Sequence, residues 1–441
     1  MKHLNVVHLV DAEGPLHESL DITFKRINEI FGLKIKPTKK NLSKILDKSL
    51  NLKISKSKKT DFYQTFNKNL LSLKKNWKEI NDENKKIFTK NFRKLFLDSF
   101  GKSWTINWNC VDHVNYIKNP QGRALGYHKI FDYYKKKISS SKIKDSLYFH
   151  FHPISLSNYA NASGNHYFAN SDNLFQILSR RIIERNWFPS VFRPGFHIEN
   201  PDSNWFLEQF IPFDYANQSC DQINLNYGRF ENWLDAPKDW EPYHPSHDDY
   251  KKKGNSRRWI ARILNVGSRL AVINQKEINE AFEQKKLGKK VILSFTNHDF
   301  RNMSEDFDHV YKMLKESSKK YNVKFKFSDA KEAFQETFDL KKTKLKFNIK
   351  FIKNKVFINS NKKIFGPQPY LSIKTKKNKF FHENFFIKKP FSQWVYTFDR
   401  NSVPIEDLDT FAFAANDSAG NTGIVKIKYR NHKPYIDQFS I

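Results

Sequence analysis

Several apolar runs of this chain stop on side chains able to move protons or hold a cation. In "NVVHLVDAEGP", residues 5–15, the run through Val6, Val7, Leu9 and Val10 gives way to Asp11, Glu13, Gly14 and Pro15. "LYFHFHP" ends on His150 and His152, "VFRPG" on Arg193, "IPFD" on Asp214, and "VILSFTNHD" on His298 with Asp299. Residues two apart on a strand share a face, with Cα atoms roughly 6–7 Å apart. Asp11 and Glu13 therefore project together, as do His150 and His152. Two imidazoles from one strand make a chelating pair that a carboxylate completes, leaving an open position for water. A cation held there makes such water more acidic. Each element also has an ordinary reading: half-exposed histidines, a helix-capping D-x-E, an arginine salt bridge, a turn at Asn-His-Asp. What favours a common site is that separate strands deliver them at the same end.

The elements that would position these groups follow from texture. Strand and helix patterns alternate from about residue 104 to residue 338, which predicts an α/β architecture with its site at the carboxyl ends of parallel strands. Residues 16 to about 100 read as a Lys-rich helical insertion with a solvated face. After Phe338, short alternating runs such as "KLKFNIKFI" and "TGIVKIKYR" predict an antiparallel β-domain over 339–441, in the manner of a sandwich. The segment "WEPYHPSHDDY" predicts a loop in which Trp240, Tyr243, His244 and His247 face a sugar ring, with a plain surface loop as the alternative.

Composition narrows the class. The 441 residues are 39% hydrophobic, with 41 Phe, ample for a core. No run of about 18 apolar residues occurs, so no transmembrane segment is expected. The first residues lack a secretory signal pattern, and Cys110 and Cys220 are too few for a disulfide framework; a cytoplasmic protein is expected. The net charge of +31 is mostly Lys, spread along the whole chain. With no helix-turn-helix, zinc finger or RNA-binding aromatic signature, it predicts general attraction to polyanions and no specific nucleic-acid partner. Nothing in the sequence indicates an oligomeric state.

In order and spacing, "VDAEGP", "HFHP", "FRPGF", "IPFDYAN" and "LSFTNHDF" resemble the motifs of the polysaccharide deacetylase family, carbohydrate esterase four in its broad sense. The resemblance covers about residues 4 to 335, and the stretch 180–218 is similar to a subgroup associated with bacterial surface-polysaccharide gene sets. It implies a distorted (β/α)7 barrel within 1–338. It also implies metal-dependent hydrolysis of an N- or O-linked acetyl group on a sugar or polysaccharide, a reaction at C–N bonds other than peptide bonds in the N-linked case. The cofactor would be a divalent metal, zinc in the first place. Asp11 would match the catalytic base, Glu13, His150 and His152 the metal ligands, and Arg193 the residue holding the base. His298, protonated near neutral pH, would be the general acid, and Asp214 would support His298 or the barrel mouth. The family's histidines stand four apart and its metal carboxylate is Asp, so His166 in "SGNHYF" and Asp11 remain alternative ligands. Two readings compete: a catalytically silent carbohydrate-binding barrel, and a basic adaptor for nucleic acid or anionic surfaces. A glycoside hydrolase fits less well, because Asp11 and Glu13 lie too close on one strand to flank a sugar bond.

Overall fold

The computed structural model describes residues 3–65, 73–160, 162, 164, 166–221, 233–267, 271–430 and 433–440. Nine parallel strands come first: β1 (His3–Ala12), β2 (Ile106–Val111), β3 (Ser146–Phe151), β4 (Val191–Pro194), β5 (Phe213–Asn217), β6 (Trp259–Arg262), β7 (Leu264–Asn265), β8 (Ile292–His298) and β9 (Lys324–Phe327). Eight of them run side by side in the order β6-β5-β4-β3-β2-β1-β8-β7, a nearly closed barrel, while β9 pairs with the first half of β1. Only Ile263 separates β6 from β7. One stretch of chain thus pairs with β5 through its first half and with β8 through its second.

Burial explains why these segments are strands. Past His3, every residue of β1 is buried, and β2 is buried throughout. A strand covered on both faces needs a continuous apolar run, as parallel strands inside a layer of helices do. Because all barrel strands run the same way, their polar last residues gather at one rim. Register completes the alignment: Asp11 lies opposite His298, Val111 opposite His150, His150 opposite Arg193, and Phe192 opposite Asp214.

Between β1 and β2 stand helices Leu20–Phe31, Lys39–Leu46, Lys56–Thr65, Trp77–Ile87 and Lys90–Arg93. Ser19, Thr38 and Asn76 cap three of them by accepting backbone N–H groups. Phe24, Ile27, Phe31, Ile45, Leu52 and Phe62 form a small core of their own there.

The C-terminal region holds β10 (Phe347–Ile352), β11 (Lys355–Ser360), β12 (Tyr370–Thr375), β13 (Phe380–Glu383), β14 (Phe386–Lys389), β15 (Gln393–Thr397), β16 (Leu408–Asn416), β17 (Thr422–Arg430) and β18 (Lys433–Ser440). They form two antiparallel sheets, β10-β11-β15-β14 and β13-β12-β16-β17-β18. Along β16, Phe411 and Phe413 pack between the sheets against Ile358, Trp394 and Tyr396. Ala412 and Ala414 alternate to the other face, where Leu174, Ile177 and Leu178 of helix Ser171–Arg185 cover them. The middle of the five-stranded sheet is therefore buried on both faces and shares a core with the barrel, while its edge strand β18 is exposed.

His8, inside β1, gives the barrel a pH signature. Trp104 donates its indole N–H to His8 Nδ1 at 3.1 Å, so Nε2 carries the proton and donates to Asn297 Oδ1 at 3.0 Å. A second proton would set two donors face to face. Burial is the main cause of a pKa lowered from 6.5 to about 3. The unfolded chain thus takes up this proton at the higher pH. The native state keeps full stability above about 6.5 and loses it as pH falls from there toward 3, by up to about 1.4 kcal/mol per pH unit. Urea unfolding between pH 7 and pH 4 is expected to show a steeper fall for the native protein than for His8→Gln. Equal slopes would refute the assignment.

Candidate metal centre

The site begins where β1 ends. Gly14, at φ 70°, turns the chain immediately before Pro15, a position where an ordinary residue is confined to extended backbone. The Asp299 carboxylate, at the end of β8, accepts the N–H groups of Glu13 (3.0 Å) and Gly14 (2.9 Å) and the Tyr134 hydroxyl (2.9 Å). Asp299 thereby fastens the Glu13 backbone to the next strand.

Glu13 Oε1 lies 3.5 Å from His150 Nε2 and 3.3 Å from His152 Nε2, and the two Nε2 atoms are 2.9 Å apart. Ligand bonds of about 2.0–2.1 Å place donor atoms about 3.3–3.4 Å apart around a tetrahedral ion and about 2.9 Å apart around an octahedral one. The three atoms therefore already stand at the separations of one ligand face. All three residues are buried, and this buried group could hold a metal ion. His150 donates its Nδ1–H to the Arg193 carbonyl at 2.8 Å, which leaves the lone pair on Nε2.

Electrostatics suit a cation. Burial opposes ionisation of Glu13, but Arg123 (2.5 Å from Oε2) and His152 outweigh it and hold its pKa well below the usual range. Burial lowers the pKa of His152, against the pull of Glu13, and so favours the neutral form that ligates. The ring also leaves no room beside it. A Cβ on Gly195 would overlap His152 Cδ2 and lie 2.6 Å from the Phe151 carbonyl oxygen. Phe196 and His197 follow with φ 53° and 61°, and the Phe196 ring packs 4.6 Å from that of His152. Left-handed backbone at non-glycine residues is costly and gathers at ligand sites.

Asp11 stands beside the trio. Arg193 Nε donates to its Oδ1 at 3.2 Å, and a second Arg193 nitrogen donates to the Tyr215 carbonyl at 3.0 Å. Burial pushes the Asp11 pKa up, yet Arg193, His150 and His298 hold it below the ordinary value. His298 Nε2 is 3.9 Å from Asp11 Oδ2 and 3.7 Å from Glu13 Oε1. Burial lowers His298 to about 4 despite both carboxylates, so the expectation of an imidazole protonated near neutral pH does not describe the resting protein.

Other candidates lie apart. Asp214 is fully buried and paired with Arg258, which also meets Glu199 at 3.2 Å. Burial and Glu199 raise Asp214 well above the carboxylate range, and it has no contact with His298, so it braces the barrel wall. His166 is exposed and lies outside the ligand group. Trp240 and Tyr243 are corrected from sugar contacts to core. Trp240 is fully buried and donates to the Glu277 carbonyl, while Tyr243 is 4% exposed and donates to the Tyr250 carbonyl. His244 is half-buried, its Nδ1 on the Arg258 carbonyl and its ring against Trp259. Of the four, only His247 faces solvent; it pairs with Asp248 and stacks on Trp205.

Two further groups complete the centre. Arg123, from the loop after β2, occupies the second oxygen of Glu13, and His113 Nε2 meets the Glu13 carbonyl at 3.2 Å. Neither carries a local signal: "PQGRALGY" reads as any turn, and His113 follows a strand as many histidines do. No protein-family model matches this chain, and neither does any curated protein or solved structure. No helix among the described residues is long and apolar enough to cross a membrane.

Proposed function

We propose that this chain is a metal-dependent hydrolase of the polysaccharide deacetylase type, removing an N- or O-linked acetyl group from a sugar of bacterial surface polysaccharide or of its precursor. The observation that carries this reading is one buried carboxylate and two imidazoles at ligand separations, with a second, arginine-held carboxylate alongside. Two nitrogens and one oxygen suit zinc, the metal of choice here. When bound, such a cation supplies Lewis-acid polarisation of the acetyl carbonyl and acidifies water.

The chain's own residues supply the rest. Asp11, kept ionised by Arg193, accepts the proton of the attacking water. Arg193 also fixes the carboxylate's direction, since its other nitrogen is tied to the Tyr215 carbonyl. His298 is the one member with appreciable exposure, its side chain 19% accessible against 5% or less for Asp11, Glu13, His150 and His152. The sugar therefore approaches over His298; its Nε2, 3.9 Å from Asp11 Oδ2, takes over the proton that Asp11 removes from water and passes it to the departing amine or alcohol. Cys110 and Cys220 are buried and unbridged, in keeping with cytoplasmic work.

The test is acetate release from N-acetylated and O-acetylated oligosaccharides by the purified protein. Release is expected to stop on treatment with a chelator and to return with zinc. A protein that binds metal and sugar yet frees no acetate from any of them would be a silent carbohydrate-binding barrel instead.

A further inference from the structure

The opposite end of the barrel carries a second feature that the metal centre does not use. A cleft of about 1250 Å³ opens there. Ser103 and Thr105 before β2, Lys144 to Leu147 at the start of β3, Ser190 before β4, and Asn421 with Thr422 of the C-terminal region all line it. The packed barrel interior, including Val7, Leu9, Val191 and Phe213, separates it from the rim that holds Glu13 and the histidines.

Its charge is one-sided. The carboxylates in the wall are already answered. Asp145 is bonded to Arg93 at 2.7 Å and to the Trp108 indole at 3.0 Å. Glu332 meets Lys342 at 3.1 Å and Lys326 at 3.5 Å, and Asp329 accepts the Tyr148 hydroxyl at 2.7 Å. By contrast Lys90, Lys94, Lys102, Lys142, Lys144 and Lys331 line the cleft with no carboxylate partner among the described residues. Like charges facing one concave space repel one another, and an anionic occupant relieves that repulsion.

We infer that this cleft binds an acidic polysaccharide, a sugar chain bearing carboxylate or phosphate groups. Three observations favour a glycan over nucleic acid. The arginine in the wall, Arg93, is committed to Asp145, so no guanidinium fork is left for phosphate. Of the aromatic rings in the wall, Trp104, Tyr148, Phe188 and Phe327 are buried and Trp187 is partly open with its ring edge-on to Phe131, so no row of open faces offers successive bases a stack. Ser103, Thr105 and Ser139, none of them buried, instead offer the small polar groups that meet sugar hydroxyls. The inference does not depend on what the metal centre catalyses. If that reading holds as well, the cleft retains an acidic chain near an enzyme that acts on it from the far rim, raising its local concentration.

The test compares two triple variants. Lys102→Glu/Lys142→Glu/Lys144→Glu reverses charge in the cleft, and Lys39→Glu/Lys40→Glu/Lys53→Glu reverses equal charge on exposed positions of the helical insertion. Fluorescently labelled polygalacturonate is the probe, with neutral dextran and poly(dT) alongside. The cleft variant is expected to lose roughly tenfold or more in polygalacturonate affinity, the other no more than about twofold, with native binding weakened by salt and dextran unbound. An unchanged urea unfolding midpoint reports that the cleft variant is folded. Equal losses in both variants would overturn the inference, as would poly(dT) binding tighter than polygalacturonate.

Discussion

Replacing His150 by alanine is expected to strip the protein of bound metal and to lower acetate release by on the order of a thousandfold or more. His150 supplies one of three donor atoms, and its Nδ1–H is spent on the Arg193 carbonyl, so the substitution removes a ligand and its anchor together. Two remaining donors cannot hold an ion at the concentrations that three can. The measurement pairs metal analysis of the purified variant with a continuous acetate assay. His152→Ala is expected to behave alike, because its Nε2 stands 3.3 Å from the same Glu13 oxygen. His166→Ala is the informative companion. The residue is exposed and outside the ligand group, so metal and activity should stay at native levels. Full acetate release by metal-free His150→Ala protein would remove the metal-dependent mechanism and the ligand role of His150.

Much of this arrangement can be read from strand ends. Valine- and leucine-rich runs that stop on Asp, His or Arg predict parallel strands whose last residues meet, and the register of β1, β3, β4 and β8 brings them to one rim. The histidine spacing illustrates a limit. Two residues apart on a strand guarantees a shared face, but the 2.9 Å between Nε2 atoms depends on the Arg193 carbonyl turning one ring and Gly195 making room for the other. Arg123 is invisible to such reasoning because its partnership with Glu13 spans 110 positions and leaves no periodic trace.

The loop holding Trp240 and Tyr243 fails for a different reason. Aromatic residues among His, Ser and Asp suit a binding surface and a packed strap equally well. Here Tyr243 pairs its backbone with Ile260 of β6, which pulls its ring inward beneath the loop. Burial of that kind is decided by tertiary pairing. The C-terminal region shows the reverse case: alternation alone identifies its strands, but that Ala412 and Ala414 face a barrel helix emerges only once the two regions pack.

The sharpest separation of catalysis from metal binding comes from Asp11→Asn. The amide has the carboxylate's shape and still offers Arg193 an oxygen at the position of Oδ1, where the ion pair measures 3.2 Å. It cannot take a proton from water. Because Asp11 stands outside the ligand group, metal content is expected to remain native while kcat falls by roughly a hundredfold to ten-thousandfold, the range general base catalysis contributes. KM should move little, since the buried carboxylate does not reach the approach side that His298 marks. Glu13→Gln provides the contrast: the second oxygen of Glu13 is held by Arg123 and the first faces both imidazoles, so its loss should release the metal and the activity together. Metal analysis and steady-state kinetics on the same two preparations distinguish the roles. If Asp11→Asn loses the ion and Glu13→Gln keeps it, the two carboxylates must exchange assignments, with Asp11 the ligand and another group the base. If both keep the ion and both release acetate at native rates, neither carboxylate serves the chemistry proposed for this rim.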